Sequence, residues 1–164
     1  MPFFSKGPRE NAGLVVCVEQ GGKGRCGMAL SHTIVVAIDV PYDKAYAYLS
    51  DPRSYADWAA VLPETYRQLP NGDWVAEVRF GGERHIRFSE PNREGVLDHA
   101  VFRPGEALLW MPMRARPQDN GTELSFTFIQ RPEMSAKEFN STIEWITTDL
   151  QMLKTVLEHR YPRG

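Results

Sequence analysis

The chain has 164 residues, 42% of them hydrophobic and 24% charged, with a net charge of −2. That length suits one domain able to bury roughly 70% of its unfolded surface. The near-neutral balance excludes the dense basic patch of a nucleic-acid binder, and no apolar run approaches the ~18 residues of a membrane span, so a cytoplasmic protein is expected.

Residues 1–30 differ from the rest. They carry Gly7, Gly13, Gly21, Gly22, Gly24 and Gly27 with little periodicity. The apolar run Leu14 to Val18 is shorter than a signal-peptide core. Gly21-Gly22-Lys23-Gly24-Arg25 lacks the Gly-Lys-Ser/Thr ending of a phosphate loop. Cys17 and Cys26 are the only cysteines, so one disulfide or none forms. The expectation is a disordered extension over 1–30, or a natural start at Met28, followed by a domain over 31–161 and a tail over 162–164.

From His32 the pattern is clean. Ile34, Val36, Ile38 and Val40 alternate with Thr33, Val35, Ala37 and Asp39, a strand period. Pro41 opens a short helix to about Ser50, and Asp51-Pro52 caps and starts a second to about Leu62. Strands follow near 64–69, 74–80, 84–89, 95–102, 107–116 and 122–130, separated by turn signals such as Pro70-Asn71-Gly72 and Asn120-Gly121. A long amphipathic helix then runs from Ser135 to about Glu158. Its apolar stripe is Phe139, Ile143, Ile146, Leu150, Leu153 and Leu157. Ser135 and Glu138 form a capping box, and Met134 with Phe139 a hydrophobic staple. The fold class is α+β: a seven-stranded antiparallel sheet, two short helices and one long C-terminal helix.

Opposed residues of a hairpin share a face. A two-residue turn at Asn120-Gly121 and a four-residue loop at 103–106 place Met111 opposite Asp98 and Met113 opposite Val96. With ordinary loops at 90–94 and 81–83, one apolar face forms from Trp74, Ala76, Val78, Phe80, Ile86, Phe88, Val96, Ala100, Phe102, Leu109, Met111, Met113, Leu124, Phe126 and Phe128. Asp98 falls near its middle and Arg84 near a strand end; His99, His85 and Arg87 face outward. A carboxylate among Met, Ile and Val is costly unless paired, and desolvation raises its pKa. Asp98 reads as a polar anchor or general acid/base, or as a structural carboxylate satisfied by Arg84, a tyrosine or the backbone.

Other chemistry finds no support. The four histidines show no metal-ligand spacing, no nucleophile elbow or dinucleotide-binding glycine motif occurs, and no cysteine lies in the patterned domain. No cofactor or metal is expected. Trp58, on the second short helix, suits the rim of a cavity. Trp145 and Met152 lie at the flank of the long helix, where neighbouring loops or a second copy of the chain would cover them.

The order β-α-α-β6-α resembles the START-like, or Bet v 1-like (SRPBCC), helix-grip superfamily, and within it the polyketide cyclase/dehydrase and lipid-transport group. The resemblance covers about 32–160. Its carriers are the opening strand with Pro41, Ala47-Tyr48-Leu49-Ser50-Asp51-Pro52 running into Trp58, Gly95-Val96-Leu97-Asp98-His99, Pro112-Met113-Arg114, and Arg131-Pro132 before Met134. It implies a sheet gripping the C-terminal helix around an apolar cavity that holds a lipid-, sterol- or polyketide-like molecule. The expected function is binding or transport of a small hydrophobic ligand. Its walls would be Phe88, Met111, Met113, Phe126, Ile143 and Ile146, with Trp58 at the rim and Asp98 and Arg84 as anchors. A cyclase or dehydratase using Asp98 as acid/base, and an interaction module with a filled core, are the alternatives.

Overall fold

The computed structural model describes residues 14–18 and 25–163. Strands β1 (Leu14–Val18) and β2 (Arg25–Ala29) pair as an antiparallel hairpin, with Cys17 and Cys26 as Cα partners. The sequence reading gave no element there, because glycines interrupt the alternation. The residues before 14 and between the two strands lie outside the described residues.

The patterned domain follows the expected order. Strand β3 (Ser31–Ile38) leads through Pro41 into α1 (Tyr42–Leu49), and a 3-10 helix spans Pro52–Asp57. Asp51 caps that helix by accepting from the Arg53 amide. Strands β4 (Arg67–Gln68), β5 (Trp74–Glu77), β6 (Glu83–Phe88), β7 (His99–Phe102), β8 (Met113–Gln118) and β9 (Gly121–Ile129) precede α2 (Ala136–Arg160). Regular pairing divides them into β3-β9-β8 and β4-β5-β6-β7. Isolated bridges Val96–Arg114 and His99–Met111 join the two halves, so seven strands make one interrupted antiparallel surface.

The long helix is capped as its sequence dictates. The Glu138 amide donates to Ser135 Oγ at 3.1 Å, and the Ser135 amide to Glu138 Oε2 at 2.8 Å. Such a cap contributes about 1 kcal/mol. Along the stripe, Leu150, Leu153 and Leu157 are fully buried, each stabilising by roughly 1.5–3 kcal/mol. Phe139 is also buried, but Ile143 and Ile146 between them are only half-buried. The C-terminal half of α2 thus lies firmly on the β3 side of the sheet. The inward face of the four-stranded half, around Ala76, Val78 and Ile86, is covered instead by Tyr55, Ala56 and Tyr66.

Register decides what faces inward. In β8–β9, Met113 opposes Phe126 and Ala115 opposes Leu124, around a turn at Asp119-Asn120 in which Asp119 takes φ 51°. This differs by two residues from the sequence reading and leaves the faces unchanged. Between β7 and β8 the slip is one residue: His99, not Asp98, opposes Met111. The connection is centred on Gly105, at φ +87°, rather than spanning four residues evenly. Its odd length turns 95–102 over. Leu97 and His99 point into the core, and Val96 and Asp98 point away.

Candidate functional site

Asp98 leaves the predicted site. It lies on the outer face, ion-paired with Arg114, and accepts from the Met113 amide at 2.9 Å. It does not meet Arg84, whose guanidinium sits 5.8 Å over the Phe80 ring. Met111 and Met113 are buried in the core as predicted, and Met111 Sδ accepts from the Ile129 amide.

The structure brings Trp58, Phe88 and Phe126 together around two residues that the sequence did not single out for the site. Tyr55 packs edge-on against Trp58 at 5.0 Å, Phe88 at 5.3 Å and His99 at 5.5 Å. His99 in turn lies 5.9 Å from Phe88 and 5.5 Å from Phe126. Tyr55 belongs to the packing of both halves of the core, so this aromatic group sits where they meet. His99 is 5% exposed. Burial pushes its imidazole down to about 4, opposed only by the 3.3 Å contact of Nδ1 with the Leu97 carbonyl. At neutral pH it is an uncharged ring.

Asp149 adds a carboxylate from α2. It stands three residues after Ile146 and four before Leu153, on the stripe's flank, so helical spacing carried its signal. Its Oδ2 accepts from the Ala60 amide at 3.1 Å. Burial raises its pKa to about 6, against the lowering effects of that bond and of Arg79. Burial and the nearby Asp149 carboxylate also hold the Tyr55 phenol well above its usual range. The last member is Trp58: its indole Nε1 is buried without a hydrogen-bond partner among the described residues. Such an orphaned donor costs about 1–3 kcal/mol.

The site therefore holds a neutral imidazole, a carboxylate that protonates near neutrality, a phenol and an unpaired N–H donor within an aromatic group. Ile143 and Ile146, half-buried on α2, pack against the same core cluster as Trp58 and Phe126. A separate open cavity of about 340 Å³ lies beside the C-terminal half of α2, bounded by Ala37–Asp39, Gln118–Thr122, Lys154 and Arg163. It includes none of the predicted site residues. Among the described residues no cluster of His, Cys, Asp or Glu is arranged to hold a metal ion, and no helix is long and apolar enough to cross a membrane.

No family model matches the sequence, and no curated protein does. Solved structures do match. The Zhui aromatase/cyclase from Streptomyces sp. R1128 superposes with a TM-score of 0.65 at 16% identity, over 79% of this chain and 94% of that one. The fold is the START-like helix grip. A START superfamily protein from Mycobacterium smegmatis gives 0.56 at 12% identity, over 79% and 97% of the two chains. XoxI from Bacillus cereus gives 0.64 at 12%, over 77% and 94%. These identities are low, and the likeness is one of architecture. The helix grip accounts for the stretch of α2 over the interrupted sheet, and for Tyr55, Trp58, His99 and Asp149 converging from three separate segments.

Proposed function

We propose that this helix-grip protein binds a small, largely aromatic molecule between the Ile143–Ile146 stretch of α2 and the group formed by Tyr55, Trp58, Phe88, His99 and Phe126. The observation that carries the reading is the orphaned Trp58 Nε1. Buried donors are almost always paired, and a ligand acceptor placed there removes the cost. A mostly apolar site with a few convergent polar groups is the usual form of a small-molecule pocket.

The test is native mass spectrometry of the freshly purified chain, followed by isothermal titration with 2-naphthol. Saturable one-to-one binding is expected, weakened about fivefold or more by Trp58→Phe, which keeps the ring and removes the N–H. Absence of any bound mass together with absence of naphthol binding overturns the reading.

Asp149 supports a second reading, an acid–base enzyme of cyclase or dehydratase type. A carboxyl with a pKa near 6 can both donate and accept a proton at neutral pH. The likeness to an aromatase/cyclase agrees with it. Asp149, not Asp98, would then carry the proton. Asp149→Asn would abolish turnover of a reactive polyketone while leaving naphthol binding within about twofold; retained turnover sinks this second reading alone.

A further inference from the structure

The rim of this site carries more guanidinium than carboxylate. Arg84 lies on the inward face of β6, opposite Ala76 and two residues from the buried Ile86. It is half-buried, and its one hydrogen bond among the described residues runs to the uncharged Glu83 carbonyl at 3.0 Å. The β6–β7 register pairs His85 with Phe102, so one further step sets Arg103 opposite Arg84. Arg131, arriving from the end of β9, donates to the Val101 carbonyl at 2.8 Å and the Ala107 carbonyl at 3.2 Å. Its charge is brought to the same edge and, among the described residues, is spent on neutral oxygens. Among the described residues, Glu106 is the one carboxylate acting on Arg84; it lies 4.0 Å from Arg103. Burial, Arg103 and Arg131 all disfavour the protonated form of Arg84, and only Glu106 opposes them.

Arg84 lies on the same face of β6 as Phe88, four residues or about 13 Å along the strand from it. The Phe80 ring under Arg84 also contacts Trp145 at 6.2 Å, tying the β5–β6 connection to the stretch of α2 that is least buried. Asp149, further along α2, has Arg79 as its cationic neighbour.

We infer that the ligand is an acidic amphiphile, whose planar apolar body lies against Tyr55 and Trp58 and whose carboxylate meets Arg84, with Arg103 and Arg131 behind it. This rests on the reading of the aromatic group as a binding site and adds the charge of what enters it. A guanidinium offers paired N–H donors matched to a carboxylate, and charge-assisted bonds of this kind are about twice as strong as neutral ones.

The experiment compares 2-naphthoate with its neutral isostere 2-naphthamide by isothermal titration on the full chain at pH 7.5 and low salt. Naphthoate is expected to bind about tenfold or more tightly, with added salt weakening the acid and not the amide. Arg84→Gln is expected to bring the two within about twofold of each other, chiefly by weakening the acid, and Arg84→Lys to keep only the part of the preference owed to charge. Equal binding of both probes to the wild-type chain overturns the inference and leaves the pocket standing. Binding of neither overturns the pocket reading and the inference with it. Should Arg84→Gln fail to fold, the wild-type comparison and its salt dependence decide the matter alone.

Discussion

His99 makes the interior of this protein sensitive to acid. Its imidazole is packed by the rings of Tyr55, Phe88 and Phe126, with no carboxylate among the groups acting on it. The folded pKa of about 4 lies below the ordinary 6.5. Above pH 6.5 the ring is neutral in both states and contributes its full packing. As pH falls from 6.5 toward 4, the unfolded chain takes up a proton that the folded chain refuses, and stability is lost. At pH 4.5 the loss amounts to about 2.5 kcal/mol. His99→Phe keeps an aromatic ring in place and removes the titration. Near pH 7 it should change stability by about 1 kcal/mol or less, the worth of the lost Nδ1 contact. At pH 4.5 it should gain about 2.5 kcal/mol relative to its own difference at pH 7, or roughly 5–10 °C in Tm for a chain of this size. Guanidinium unfolding of both proteins at several pH values, followed by tryptophan fluorescence, reads the difference directly. Parallel pH profiles, or an NMR titration of the His99 ring with a midpoint near 6.5, would refute the reasoning.

Asp149 has the opposite sign. Its folded pKa is raised from 3.8 to about 6, so the wild-type chain loses stability as pH climbs through that window. Asp149→Asn, still able to accept from Ala60, should gain about 1–2 kcal/mol on wild type between pH 4 and 7.5, after allowance for partial solvent screening; urea midpoints that keep a constant difference across that range would count against a desolvated carboxylate. Gly95 takes φ +72°, and a Cβ there would lie 2.2 Å from the Ala115 carbonyl oxygen across the sheet. Gly95→Ala should therefore cost about 3–5 kcal/mol, and a thermal melt within a degree or two of wild type would contradict that geometry. Asp98→Asn keeps an acceptor for the Met113 amide and loses the Arg114 pair, for a cost of about 1 kcal/mol. Because Asp98 faces away from the aromatic group, naphthol affinity should stay within about twofold; a large loss would restore Asp98 to the site.

Much of the fold was legible because its signals are local. The capping box at Ser135 and Glu138, the stripe from Phe139 to Leu157 and the Asp51-Pro52 helix start each depend on a few adjacent residues, and each forms as its chemistry directs. Register is not local in that sense. Whether 95–102 presents odd or even residues depends on one residue of loop length at Gly105 and on Arg131, which reaches back from beyond β9 to hold the Val101 and Ala107 carbonyls. Neighbours on a strand point to opposite faces, so this one-residue slip exchanged a buried carboxylate for a buried imidazole. The two-residue shift at Asp119-Asn120 had no such consequence, since the strand period is two.

The site was partly legible for the same reason. Trp58, Phe88 and Phe126 follow from hydrophobic patterning and converge. Tyr55 sits on a 3-10 helix, where three residues per turn and a short length give periodicity too little room to mark a face. Asp149 was readable from helical spacing, yet its raised pKa comes from burial in the fold, opposed by the Ala60 amide some ninety positions away. The residues that escaped the sequence are thus those held by long-range contacts to irregular chain. A rigid strand or helix can display a side chain, but the groups that tune its proton affinity arrive here from connections, and that is why the acid–base character of the site emerges only in the folded molecule.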